Sequence, residues 1–178
     1  ALDVSIQAQI LTEMRSLARD LGTALIWISH DLATVSSLAS RLQLLDAIGV
    51  DTVAILFDDM RGDLPELAEV QLDILHWVRG RTRAKELLFC PTYYTFDPIL
   101  DKVFGQRPEG YLQRLGRELD SSIDLFWTGE KVCSTEYPDA HLAQVGELLG
   151  RKPFLWDNYP VNDGQTMCKF LKLRAVTG

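Results

Sequence analysis

The chain has 178 residues, enough for one domain with a sizeable buried core, and 47% hydrophobic with 24% charged residues is the balance of an ordinary folded protein rather than a disordered one. A net charge of -7 disfavours nucleic acid and anionic membrane surfaces as partners, since both demand clustered Lys and Arg. No apolar run approaches the roughly 20 residues of a membrane span, and no basic, apolar-cored leader is visible. An opening of Ala1-Leu2-Asp3 without Met reads as part of something longer.

The first element expected is a helix. Asp3 can cap it, Ile6, Ile10, Met14, Leu17 and Leu21 recur at spacings of three and four, and Gly22 can end it. TALIWI (23–28) is a short apolar strand. A second helix follows from about Asp31, with Leu32, Val35, Leu38, Leu42 and Leu45 on one face and Gly49 after it. From there strands TVAILF (52–57), ELLFC (86–90), IDLFW (123–127) and PFLW (153–156) recur at the interval of a strand-helix unit. Helices fit between them over 64–78 (Leu67, Val70, Ile74 and Val78 inward), 111–119 and 140–149. Near-continuous apolar strands require burial on both faces, hence a parallel sheet with the four strands adjacent in sequence order. An open doubly wound sheet and a β/α barrel both satisfy the pattern.

Working residues in such folds collect at the carboxyl ends of strands. Here those ends carry Asp58-Asp59, then Pro91-Thr92-Tyr93-Tyr94, Trp127-Thr128-Gly129, and a run from Trp156 through Asp157, Asn158, Tyr159, Pro160, Val161 and Asn162 to Asp163. Aromatic rings stack on pyranose faces while carboxylates and amides take sugar hydroxyls, so the set suits a sugar site. Other readings remain open. Trp156 alone could be a core aromatic, Asp157 and Asn162 suit caps and turns, and adjacent strand-end carboxylates also suit Mg²⁺. His76 and His141 have no partner at ligand spacing and read as helix-surface or packing residues. Cys90, Cys133 and Cys168 are odd in number and lack metal-ligand spacing. They read as reduced thiols of a cytoplasmic protein, with no metal or cofactor.

ILFDDM (55–60), FCPTYY (89–94), the segment YLQRLGRELDSSIDLFWTGEKVCS (111–134) and LWDNYPVND (155–163) resemble, in order, segments of family-84 glycoside hydrolases, the O-GlcNAcase and bacterial β-N-acetylglucosaminidase family. The resemblance implies strands four to seven of a (β/α)8 barrel, and a GlcNAc-containing glycoside or glycoprotein as substrate. It also implies a departure from the glycosidases in which a carboxylate attacks the sugar. The 2-acetamido oxygen attacks C1, and an oxazoline forms. Asp58 would then orient the amide, and Asp59 would protonate the leaving oxygen and later activate water. Adjacent carboxylates repel, which favours one charged and one protonated member. By the same resemblance Tyr94 supports the acetamido group, Trp156 walls the pocket, Asn158 holds Asp58 or the acetamido end, and Asp163 binds sugar hydroxyls.

ALDVSIQAQIL (1–11) and TALIWISHDLATVSSLASR (23–41) resemble ATPase subunits of oligopeptide-type ABC transporters, with Asp3 in the place of the D-loop and His30 in that of the switch histidine. The P-loop and the catalytic glutamate strand are missing, so ATP hydrolysis is not expected. The expected organisation is an ABC-ATPase-like strand-helix fragment over 1–41 joined to a partial TIM-type (β/α)8 barrel of parallel β/α units over 42–178. The barrel lacks its first two strands, with their substrate-binding glycine and lysine, and its last. The strand over 23–29 could stand in at the third position. The rivals to a glycosidase fragment are an inactive chimeric or truncated piece with a structural or interaction role, and a nucleotide-binding fragment.

Overall fold

The computed structural model of the protein describes residues 35–158. The helix and strand expected over 3–22 and 23–28 lie outside the described residues, as do Asp3, His30 and Asp163. The first described helix, α1 (Val35–Ile48), buries Leu42 and Leu45 on the expected face. It stops at Gly49, whose φ of +79° is open to a residue without Cβ and lets its N–H and that of Val50 return to the Leu45 carbonyl at 3.1 and 3.2 Å.

Four strands follow, β1 (Thr52–Leu56), β2 (Glu86–Cys90), β3 (Ile123–Trp127) and β4 (Phe154–Leu155). They form one parallel sheet in sequence order, as the repeat interval predicts. Side chains alternate between two apolar faces. Val53, Phe57, Leu87, Phe89, Ile123, Leu125 and Trp127 point into the main core beneath the helices. Ala54, Leu56, Leu88, Cys90 and Phe126 form a second, smaller cluster on the opposite face. The last strand is shorter than the four residues expected. Trp156 N–H nevertheless reaches the Trp127 carbonyl at 2.9 Å.

The helix layer comprises α2 (Leu67–Arg79), α3 (Ile99–Phe104), α4 (Tyr111–Glu118) and α5 (Asp139–Leu149). The start of α2 falls three residues later than expected, after a turn through Pro65. Its buried face is Leu67, Ala68, Gln71, Leu72, Leu75 and Val78, so Val70, expected inward, is exposed. The short α3 is absent from the sequence reading. Helices α4 and α5 approach closely at Gly116, where a Cβ would lie 2.4 Å from the Leu148 carbonyl oxygen. At the amino edge of the sheet, Arg151 donates to the carbonyls of Leu119 (2.6 Å), Ile123 (2.7 Å), Asp120 (2.8 Å) and Leu149 (3.4 Å). One guanidinium thereby joins the end of α4, the start of β3 and the end of α5.

Candidate active site at the carboxyl edge

The loop after β1 carries the acidic pair. Phe57 extends the ladder by one bond, its N–H donating to the Cys90 carbonyl at 2.9 Å. Strand alternation then puts Asp58 on the face of Ala54 and Leu56, half-buried with Oδ1 shielded from solvent, while Asp59 stands exposed in the turn. The Phe57 carbonyl accepts from Thr92 Oγ1 at 2.8 Å, and Thr92 Oγ1 in turn accepts from Gln71 Nε2 at 2.8 Å. Tyr111 completes the group. Its hydroxyl donates to Gln71 Oε1 and accepts from Thr92 N–H at 3.2 Å. Burial pushes that hydroxyl's pKa up, so it stays protonated and can donate.

After β2 the two tyrosines part company. Tyr94 is half-buried and packs against both apolar clusters. Its pKa is raised, first by burial and then by Cys90, Asp58, Asp59 and Cys133 around it. Cys90 is raised by burial and then by the same two aspartates. These mutual influences put Asp58, Asp59, Cys90, Tyr94 and Cys133 in one neighbourhood. Tyr94 there is a neutral O–H, able to donate to an oxygen. Tyr93 turns into the helix-side core, donates to the Gly105 carbonyl, meets Tyr111 edge-on at 5.5 Å and lies under Arg107 at 5.0 Å.

The remaining strand ends are stitched together. Thr128 N–H donates to the Tyr94 carbonyl (3.1 Å) and Thr95 Oγ1 to the Gly129 carbonyl (2.8 Å). Gly129 sits at φ +92°, and a Cβ there would fall 2.4 Å from Ser134 Oγ, so glycine is required on both counts. Asn158 Nδ2 donates to the Val132 carbonyl at 2.9 Å, beside Cys133. Trp156 is half-buried and meets the Phe126 ring edge-on at 4.9 Å, over the same cluster that Tyr94 covers. Asp157 accepts from the Tyr137 hydroxyl at 3.0 Å, a loop-fixing role in keeping with the turn function expected of it.

The geometry thus gathers Asp58, Asp59 and Tyr94, with Trp156 on the shared cluster and Asn158 anchored to the β3 loop. It removes Trp127 from the candidate sugar surface. That ring is fully buried under the helices, and its Nε1–H donates to His141 Nε2 at 3.0 Å. His141 is accordingly a packing residue, as expected. Gln71 and Tyr111 were missed by sequence reasoning, although a glutamine four residues after Leu67 and four before Leu75, on one helical face, is a polar group in an apolar stripe. Among the described residues no three His, Cys, Asp or Glu side chains gather as a metal site would require, and no helix is long and apolar enough to cross a membrane.

Carboxylates and an aromatic hydroxyl at the carboxyl edge of a parallel sheet define an α/β protein of the kind whose strand-end loops carry its chemistry. A family model described as beta-N-acetylglucosaminidase matches residues 11–177, and the chain belongs to that family. It is 32% identical over 138 residues to Protein O-GlcNAcase of Rattus norvegicus, which covers 72% of this chain and 15% of the relative. It also resembles the solved structure of a mutant O-GlcNAc hydrolase of Thermobaculum terrenum, with a TM-score of 0.72 and 29% identity over 92% of this chain and 38% of the other. The resemblance to family-84 glycoside hydrolases is therefore upheld, and the chain spans only a minor part of the relatives' length. A separate, local similarity links 42 residues, 24% of this chain and 13% of the relative, to the oligopeptide transport ATP-binding protein OppF of Haemophilus influenzae at 50% identity.

Proposed function

We propose that the chain forms an arc of a (β/α)8 barrel and carries the acetamido-binding part of a retaining β-N-acetylglucosaminidase site for GlcNAc glycosides or GlcNAc-modified protein. The observation that carries this reading is the Asp58-Asp59 pair beside the neutral Tyr94 hydroxyl at the carboxyl edge. In the first step the acetamido oxygen forms a bond to C1 as the C1–O bond to the leaving group breaks, and the Asp59 carboxyl proton passes to that leaving oxygen. Asp58 holds the amide N–H and balances its growing positive charge, while Tyr94 donates to the acetamido or the ring it carries. In the second step Asp59, now a carboxylate, takes a proton from water as the water oxygen bonds to C1 and the oxazoline opens with net retention. Trp156, Asn158 and Asp163 complete the pocket in this reading.

The test is hydrolysis of aryl β-GlcNAc against the matching β-glucoside, with proton NMR of the first-formed sugar. GlcNAc-only turnover giving the β-anomer is expected. Equal cleavage of the glucoside, or an α-anomer product, rejects substrate assistance.

The OppF similarity supports a second reading, in which residues 1–41 derive from a transporter ATPase joined to an inactive barrel piece with a structural or interaction role. With no P-loop in the sequence, millimolar Mg-ATP is expected to leave the melting temperature unchanged, because a ligand stabilises only a state it binds. A Mg²⁺-dependent upward shift would instead make the segment a nucleotide site.

A further inference from the structure

The register of β1 on β2 ends at Leu56 opposite Cys90. One step further, Phe57 faces Pro91, and parallel pairing would have Thr92 N–H donate to the Phe57 carbonyl. That N–H is instead turned to the Tyr111 hydroxyl at 3.2 Å, and the Thr92 side chain supplies the missing donor at 2.8 Å. The hydroxyl has one proton. Since it is spent on Phe57, the contact with Gln71 at 2.8 Å must run from Gln71 Nε2 to Thr92 Oγ1. Tyr111 then donates to Gln71 Oε1. The Thr92 N–H, the two hydroxyls and one N–H of the Gln71 amide each have an acceptor, and Thr92, Gln71, Tyr111 and Phe57 are all buried.

We infer that Thr92 is a positioning residue for the acidic pair, with Gln71 and Tyr111 as its buttress. The inference rests on the glycosidase reading above. Phe57 is the last residue before Asp58, and both of its backbone polar groups are fixed to the β2 side, N–H on Cys90 and C=O on Thr92. The direction in which the chain leaves the sheet, and with it the placing of the two carboxylates, therefore hangs on one side-chain hydroxyl. Displacing a reacting group by about 1 Å costs up to roughly 10²-fold in rate.

Turnover of 4-nitrophenyl N-acetyl-β-glucosaminide by the full chain and its variants, with thermal melts alongside, tests this. Thr92→Val is expected to lower kcat roughly 10–100-fold with KM little changed. Thr92→Ser, which keeps the hydroxyl, is expected to restore kcat. A merely structural role would lower the melting temperature and leave kcat per folded molecule intact, and that result overturns the inference. Should Thr92→Val fail to fold, Thr92→Ala decides, because it also removes the hydroxyl that holds the Phe57 carbonyl; a folded Thr92→Ala protein with unchanged kcat is the overturning result. Absence of turnover in the parent chain removes the glycosidase reading and this inference together, whereas a fully active Thr92→Val protein removes this inference alone.

Discussion

Arg151 offers the clearest test of how the sheet's amino edge is held. Its guanidinium serves four carbonyls, three of them at 2.6–2.8 Å, and it does so half-buried, with burial depressing its pKa. A hydrogen bond from a charged donor is worth about 1.5–3 kcal/mol net. The bonds do not sum, because the Asp120 carbonyl lies at the surface where water replaces a lost donor, and because desolvation of the guanidinium is regained on its removal. Arg151→Met keeps much of the aliphatic packing and is expected to cost about 2–3 kcal/mol, a fall of about 4–12 °C in melting temperature for a chain of this size. Arg151→Lys is expected to recover only part, since an ammonium cannot reproduce the planar fork. Urea titration at constant m-value reads the difference directly. Full recovery by lysine, or a methionine variant melting within about 1 °C of the parent, would show that the carbonyls are satisfied without the fork.

Other consequences follow from particular contacts. Gly116→Ala places a Cβ 2.4 Å from the Leu148 carbonyl and 2.9 Å from Leu149 Cα, both backbone. Forcing α4 and α5 apart is expected to cost about 1–3 kcal/mol in urea titration, despite alanine's better helix propensity; a stabilised variant would contradict the close packing. Asp59→Asn is expected to depress turnover most for alkyl glycosides, which need a protonated leaving group, by about 10²–10⁴-fold, whereas Asp58→Asn is expected to damage aryl and alkyl substrates alike. Equal losses from Asp59→Asn on both substrates would sink the assignment. Cys90, Tyr93, Tyr94 and Tyr111 all titrate upward of their ordinary values. Above about pH 9 the unfolded chain therefore releases protons that the folded chain retains, and stability falls as pH rises. Tyr94→Phe is expected to flatten that alkaline slope in denaturation measured from pH 8 to 10.5; an unchanged slope would mean that the hydroxyl titrates freely.

The strands are legible because a sheet buried on both faces leaves near-continuous apolar runs, and their sequence-order pairing follows from the length of each connection. The faces of individual residues were harder. Position at the strand ends groups Tyr93 and Trp127 with the sugar-facing aromatics, yet Trp127 shares parity with Ile123 and Leu125, which look toward the helices. Parity along β3 was the available signal. Helical spacing predicts Val70 inward because a hydrophobic residue there resembles core, whereas the buried stripe is carried by Leu67, Gln71, Leu75 and Val78. The helix α3 left no periodic trace, since six residues make fewer than two turns. Asp58-Asp59 and Tyr94 stood out by residue type at the strand ends. The support beneath them is not legible, because a hydrogen-bonded ring of residues 71, 92 and 111 that holds the Phe57 carbonyl exists only once the helices are laid over the sheet.

The strictly consecutive order of the sheet also shapes how such a chain is assembled and altered. Each strand finds its partner in the next unit along the chain, about 30 residues away, so no ladder waits on the closure of a long loop. Formation can spread from one unit to its neighbour, in the manner of repeat proteins. The same arrangement confines the effect of an insertion or exchange. Every ladder among the four strands lies within residues 52–155, so none of these four strands takes a partner in that ladder set from outside the span. Among the described residues β1 and β4 are the outer strands of the sheet, so a further parallel strand-helix unit would have to dock on one of those two flanks.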